Sequence, residues 1–118
     1  MDVHKAGRKP QPWSRADATD IIRSIARGEH TLSITGHASG QMADRGLSSG
    51  DVLSVLKNGF VHEPAQESTR TKLYKYLVDG RSPNSGNRVV RVVVLPSINP
   101  PELKLITVMW RDEDTRRG

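Results

Sequence analysis

The spacing of apolar residues divides the chain into a helical first half and a strand-rich second half. Apolar positions recur at helical spacing over 14–28 and 48–59, and another helical stretch, 37–44, lies between them. The first and third segments begin with a serine followed three residues later by an aspartate, which is a capping-box pattern. Each segment is closed by a glycine. The sequence therefore predicts three helices.

From residue 60 onward the period changes to that of β-strands. The predicted strands, including a short one that precedes this region, are 31–35, 60–67, 72–79, 88–95 and 103–110. Because helices come first and strands follow with short links, we predict an α+β fold in which N-terminal helices pack on roughly four antiparallel strands. We expect a flexible basic arm over 1–12, a single domain over 13–111 and a charged tail over 112–118.

Length and composition exclude several classes of protein. A chain of 118 residues suits one hydrophobic core and is short for two. The absence of cysteine excludes disulfides, thiolate metal sites and a cysteine nucleophile. The four histidines lack metal-site spacing, no nucleotide-binding glycine loop occurs, and no apolar run approaches the roughly 20 residues that span a bilayer. We expect a cytoplasmic protein with no metal, no nucleotide cofactor and no membrane partner.

Positive charge is concentrated in one predicted hairpin. The chain carries 18 Lys and Arg against 13 Asp and Glu, a net charge of +5, and residues 70–91 hold six of these bases and one acid. Strand alternation predicts lysine, arginine and tyrosine on one sheet face, which suits phosphate contacts and base stacking with RNA or DNA. The predicted nucleic-acid-binding residues are Arg70, Lys72, Lys75, Arg88 and Arg91. A solvated face kept basic to protect the sheet edge fits the same pattern.

One histidine stands in chemically suggestive surroundings. His37 lies near the start of a predicted helix, and at about 100° per residue Gln41 falls on its face while Arg45 lies to one side. An imidazole in this position can remove the proton of a ribose 2′-hydroxyl, and an arginine can bind the adjacent phosphate. Helix capping, with Arg45 paired to Asp44, accounts for the same residues.

The stretch over 37–59 resembles a small bacterial family that is labelled as a domain of unknown function. Its sequence, H-A-S-G-Q-M-A-D-R-G-L-S-S-G-D-V-L-S-V-L-K-N-G, is close to the pattern H-A-x-x-R-M-x-x-R-G-I-S-x-x-D-V-x-x-x-L-x-x-G. A tyrosine-bearing strand, a hydrophobic strand and a final T-V segment follow at 73–78, 88–95 and 105–110, so the resemblance covers roughly residues 30–111. The first arginine of the family pattern is replaced here by Gln41.

That family resembles the RelE-like toxins and the wider group that includes barnase, EndoU and certain colicins. The resemblance implies a metal-independent endoribonuclease, often encoded beside an antitoxin, with family positions at His37, Arg45, Tyr74 and Thr107. We therefore expect a RelE-like toxin that cleaves RNA by attack of the 2′-hydroxyl on the adjacent phosphate, with RNA and a cognate antitoxin as partners. Two alternatives remain, namely a non-catalytic nucleic-acid-binding module and a protein-interaction domain with a toxin-like fold.

Overall fold

A computed structural model describes residues 10–114 of the protein. Three helices occur in this range: α1 (Arg15–Arg27), α2 (Gly36–Arg45) and α3 (Ser49–Asn58). The strands are β1 (Thr31–Ile34), β2 (Phe60–Val61), β3 (Gln66–Glu67), β4 (Tyr74–Gly80), β5 (Val90–Ser97) and β6 (Glu102–Trp110). A 3₁₀ turn, Arg111–Glu113, follows β6. The α+β prediction is confirmed, and none of these helices is long and apolar enough to cross a membrane.

Side-chain caps fix the beginning of each helix. The hydroxyl oxygens of Ser14, Thr35 and Ser48 each accept the backbone N–H three residues further on. Asp51 completes a reciprocal capping box by accepting the backbone N–H of Ser48. At the end of α2, Gly46 adopts a left-handed conformation with φ of 66°, which glycine tolerates without a steric penalty. The helix boundaries therefore follow directly from local sequence.

The sheet has six strands in the described residues, so the prediction of roughly four was too low. Its order is β1-β6-β5-β4-β2, with β3 paired to β4 off this path. The pairs from β2 to β6 are antiparallel, whereas β1 runs parallel to β6. The strand predicted over 60–67 is divided into β2 and β3, and Pro64 between them has no N–H to donate to a ladder.

One face of the sheet carries the helices and the main core. Helix residues such as Ile22 and Leu56 pack with sheet residues such as Val92, all of them at most 1% exposed. Val78 is the cross-strand partner of Val92, and such partners point to the same face. Residues one position along each strand, such as Arg91, therefore point away from the helices.

The two tyrosines of β4 belong to the helix-facing side of the sheet. Tyr76 is 1% exposed, and its ring stacks on that of Trp13 with centroids 5.4 Å apart. Tyr74 is partly buried and packs against the same core. Because Lys75 and Arg91 occupy alternate positions on the opposite face, the predicted face that combines lysine, arginine and tyrosine is wrong.

Helix α2 covers the part of β6 that β1 does not reach. The Thr35 amide donates to Leu105 O at 3.2 Å, and the Thr35 hydroxyl donates to Ile106 O at 3.3 Å. Further along, Val108 N donates to the side-chain oxygen of Gln41 at 2.9 Å. Gln41 thus supplies the acceptor for a backbone amide on the outer edge of β6.

Residues near both ends of the described chain are tied to the sheet. The predicted arm and tail lie partly outside the described residues, at 1–9 and 115–118. Within the described part, the side chain of Gln11 accepts from Tyr74 N at 2.8 Å and donates to Pro96 O at 3.1 Å, so its amide bridges β4 and β5. The acids that follow β6 also make defined contacts, which belong to the site described next.

Candidate functional site

An open cleft of about 430 Å³ lies where β4 ends, β5 begins and β6 passes into the 3₁₀ turn. Its lining residues are Asn87, Arg88, Val89, Arg91, Arg111, Asp112 and Asp114, and we call it the arginine cleft. The antiparallel pairing of β5 with β4 and β6 brings these residues together, since the 3₁₀ turn continues β6 beside the start of β5. Arg111 N donates to Val89 O at 2.8 Å and fixes the turn there.

The most deeply buried arginine of the cleft, Arg91, is surrounded by carboxylates. Its Nε and Nη2 each donate to one oxygen of Asp79 at 2.8 Å, and its Nη1 donates to Asp114 at 2.9 Å. A carboxylate oxygen of Glu63 lies 3.7 Å from Nη2. The hydrogen bonds to Asp79 and Asp114 outweigh burial and raise the pKa of Arg91 above its ordinary value. Arg91, which the sequence predicts as a phosphate ligand, has a side chain that is 2% exposed and engaged by these carboxylates.

Arg88 lies at the rim of the cleft and is half exposed. Its guanidinium carbon is 4.3 Å from the centre of the Trp110 ring, a cation–π arrangement. Its Nη2 and Nε donate to the two oxygens of Asp112 at 2.6 and 3.3 Å. The hydrogen bond to Asp112 raises the pKa of Arg88. The indole ring therefore orients a guanidinium whose donors face an exposed carboxylate.

Arg45, at the end of α2, is the third arginine that pairs with an acid of the turn after β6. Its Nε and Nη2 donate to the two oxygens of Glu113 at 3.0 and 3.1 Å, and its Nη1 donates to Gln41 O at 3.0 Å. The Arg45 hydrogen bond holds the pKa of Glu113 below its ordinary value. Arg45 thus pairs with Glu113 across 68 residues of sequence and not with the adjacent Asp44.

The other predicted nucleic-acid-binding residues lie at the opposite end of the sheet. Arg70 and Lys72 precede β4, and Lys75 is its second residue. Tyr74 and Gly80 are six positions apart along β4, so at ~3.3 Å per position this group is about 20 Å from the arginine cleft. Antiparallel pairing therefore places the basic residues of the hairpin in two separate groups, one at each end of β4.

The four residues that the family resemblance names lie in two places. His37 is exposed in the first turn of α2 and makes no hydrogen bond with the described residues. Arg45 is at the other end of α2, and Thr107 is on β6, the strand against which α2 packs. Tyr74 is on β4, two strands away from β6. His37 and Arg45 therefore lie on α2 and Thr107 on the strand that α2 covers, whereas Tyr74 lies two strands away.

Sequence reasoning missed Arg111 and the three acids that follow it. Arg111 is half exposed, and its Nε lies 3.5 Å from Asp79. The signal in the sequence is the run R-D-E-D directly after the last predicted strand. Three acids there can pair with the excess arginines of the basic hairpin. Within residues 10–114, no three His, Asp or Glu side chains are grouped as metal ligands.

Comparison with known proteins identifies a family and nothing beyond it. A family model described as a domain of unknown function, DUF4258, matches residues 34–110. This range contains α2, α3 and β2 to β6, and therefore includes Arg45, Arg88 and Arg91 but not the acids at 112–114. No curated protein and no solved structure matches the chain. The prediction of an uncharacterised domain family is confirmed.

Proposed function

Since the chain belongs to the DUF4258 family, we propose its function from its own geometry: it binds RNA through the phosphodiester backbone at the arginine cleft. The observation that carries this proposal is the convergence of Arg88, Arg91 and Arg111 on one open cleft. Guanidinium groups bind phosphate and carboxylate with the same two-pronged geometry. RNA is the nucleic acid that the likeness of the family to RelE-like toxins implies.

The exposure and support of the cleft arginines favour this role. Arg88 and Arg111 are 46% and 50% exposed, so both can reach a ligand from solvent. The Trp110 ring supports Arg88, and Asp79 lies next to Arg111, so neither guanidinium is a fully free surface group. Orientation before binding reduces the entropy that is lost when a complex forms.

Removal of the two exposed arginines tests the proposal. We expect R88A/R111A to bind a fluorescein-labelled single-stranded RNA about 10-fold or more weakly. The slope of log affinity against log salt concentration should become shallower by about 1.4, because each phosphate contact to a single strand contributes ~0.7. Fluorescence anisotropy at several salt concentrations measures both quantities. The control R27A/K57A removes the same charge from α1 and α3, and we expect its affinity to stay within about threefold of wild type.

An equal loss of affinity in both double variants would reduce the binding to non-specific charge attraction. Absence of RNA binding by the wild type, together with stable binding of an acidic protein at the same arginines, would replace this proposal with a protein-interaction domain such as one that holds an antitoxin.

Metal-independent endoribonuclease activity of the RelE-like kind is the second candidate, and the exposure of His37 favours it. An imidazole without a partner among the described residues is available to accept a proton from substrate. The order of helices followed by an antiparallel meander also fits the plan that the resemblance implies. In this reaction the 2′-oxygen bonds to phosphorus, the bond to the 5′-oxygen breaks, His37 takes the 2′ proton, and the leaving 5′-oxygen takes a proton from water.

The cleavage reaction leaves a diagnostic product. We expect wild type, with EDTA present, to generate 2′,3′-cyclic phosphate ends, and H37A to cleave about 10²–10⁴-fold more slowly, the usual contribution of general acid–base catalysis. End-group analysis of labelled RNA on gels measures this rate. H30A is the matched histidine control, since the hydrogen bond of His30 within the described residues is to Gly28 O in its own turn. Unchanged cleavage by H37A would remove His37 from the mechanism, and no cleavage by wild type would leave RNA binding alone.

A further inference from the structure

Three consecutive acids after β6 each hold a different arginine. Asp112 accepts from Arg88 at 2.6 Å, Glu113 from Arg45 at 3.0 Å, and Asp114 from Arg91 at 2.9 Å. These arginines come from separate places, the end of α2 and two positions near the start of β5. We call Asp112, Glu113 and Asp114 the acidic segment.

Each of the three arginines also has an anchor that does not depend on the acidic segment. Arg91 keeps two hydrogen bonds to Asp79, Arg45 keeps one to Gln41 O, and Arg88 keeps the Trp110 ring. If the acidic segment moves away, these anchors leave the guanidinium groups in place with free donors. Arg91 would then present Nη1, and Arg45 and Arg88 would each present Nε and Nη2.

Two of the three acids are held loosely enough to be displaced, whereas the Asp114 side chain is 2% exposed. Asp112 and Glu113 are 65% and 40% exposed, and exposed ion pairs contribute only ~0–1 kcal/mol each. A 3₁₀ turn fixes the segment locally, with Asp114 N donating to Arg111 O at 3.1 Å and Trp110 N donating to Glu113 at 2.9 Å. The turn follows β6 directly and lies outside the family match, which ends at residue 110.

We propose that the acidic segment is an internal competitor of the RNA backbone. Its three carboxylates bind the same guanidinium groups that the phosphate groups of RNA bind. With the segment in place, three carboxylates cancel the charge of Arg45, Arg88 and Arg91. Displacement leaves Arg45 and Arg88 without a carboxylate partner among the described residues, whereas Arg91 keeps Asp79. The inference rests on the proposed RNA binding and adds its regulation, since wild-type affinity then includes the free energy of moving the segment aside.

Neutralisation of the acidic segment tests this inference. We expect D112N/E113Q/D114N to bind single-stranded RNA at least about 10-fold more tightly than wild type, because the RNA no longer has to displace charged carboxylates from Arg45 and Arg88. The control D20N/E29Q/E67Q makes the same charge change at exposed positions elsewhere, and we expect a change of at most about threefold. D112N alone alters only a 65% exposed residue and keeps the test valid if the triple variant unfolds; we expect it to bind about threefold more tightly.

A second measurement separates failure of the inference from failure of RNA binding. Inorganic tripolyphosphate is titrated into ¹⁵N-labelled wild type and D112N/E113Q/D114N while the Nε–Hε resonances of Arg88 and Arg91 are followed by NMR. Larger shifts in the variant support the acidic segment as competitor, even if neither protein binds RNA, in which case the RNA proposal fails alone. Equal RNA affinity and equal shifts in both proteins would overturn the inference and leave RNA binding intact. Absence of RNA binding and of shifts in both would overturn both.

Discussion

Replacing Arg91 by methionine is expected to lower the free energy of unfolding by about 3–5 kcal/mol, because removal of one partner from a buried ionic network leaves the other charges without compensation. Asp79 is 4% exposed and Asp114 is 2% exposed, so neither reaches water without local rearrangement. Methionine retains most of the apolar stem and thereby limits the loss of packing. Urea unfolding followed by tryptophan fluorescence measures the change, with Trp13 and Trp110 as reporters.

R88M is the matched control for this prediction, since Arg88 also pairs with an aspartate but its side chain is 46% exposed. Exposed pairs contribute ~0–1 kcal/mol, so R88M should stay close to wild type. A partial recovery in R91M/D79N would show that the unpaired carboxylate causes the loss. If R91M lay within 1 kcal/mol of wild type, the network would not be the stabilising element that its burial indicates.

Substitution of Asp51 by asparagine is expected to cost about 2–3 kcal/mol, because hydrogen bonds to a charged group contribute more than neutral ones. The carboxylate of Asp51, 2% exposed, accepts from the amide and hydroxyl of Ser48 and from the amide and side chain of Asn84. It therefore caps α3 and fixes the loop between β4 and β5 at once. D20N, at an exposed position of α1, should change stability by less than about 0.5 kcal/mol.

The contribution of Asp51 depends on pH in a defined direction. Burial alone would raise the pKa of Asp51, but the hydrogen bonds from Ser48 and Asn84 outweigh it and hold the pKa well below its ordinary value. The folded state therefore favours the ionised form, and the stabilisation is complete above about pH 4, the unfolded pKa, and decreases as the pH falls further. Urea unfolding at pH 6 and pH 2.5 should show the deficit of D51N shrinking at the lower pH. A deficit that is independent of pH would contradict this assignment.

Local sequence was sufficient to predict the helices and most strands, since their ends are set by neighbouring residues. The Ser48–Asp51 capping box and Gly46 act within one turn of chain. Pairing between distant segments was not predictable in this way. The parallel addition of β1 to β6 joins Thr31 with Glu102, and no local pattern specifies which strand an isolated four-residue segment selects.

The candidate site was predicted only as a region of charge. Alternation correctly placed Arg91 opposite to Val92, but it did not indicate whether that side of the strand faces solvent. The burial of Arg91 depends on Asp79, 12 residues away, and on Asp114, 23 residues away. Counter-charges from a different strand and from the turn after β6 pair with Arg91, and charge counting along one segment does not contain that information.

The cover that α2 provides for β6 has a consequence for self-association. A bare strand edge offers unpaired amides and carbonyls on which a strand from another copy can assemble. Here β1 protects only four residues of β6, and Thr35 and Gln41 occupy backbone groups beyond them. An arginine at position 41 could not accept the Val108 N–H, because its guanidinium has no acceptor atom. By occupying this amide, Gln41 makes the edge of β6 a poorer site for a strand of another copy to pair with.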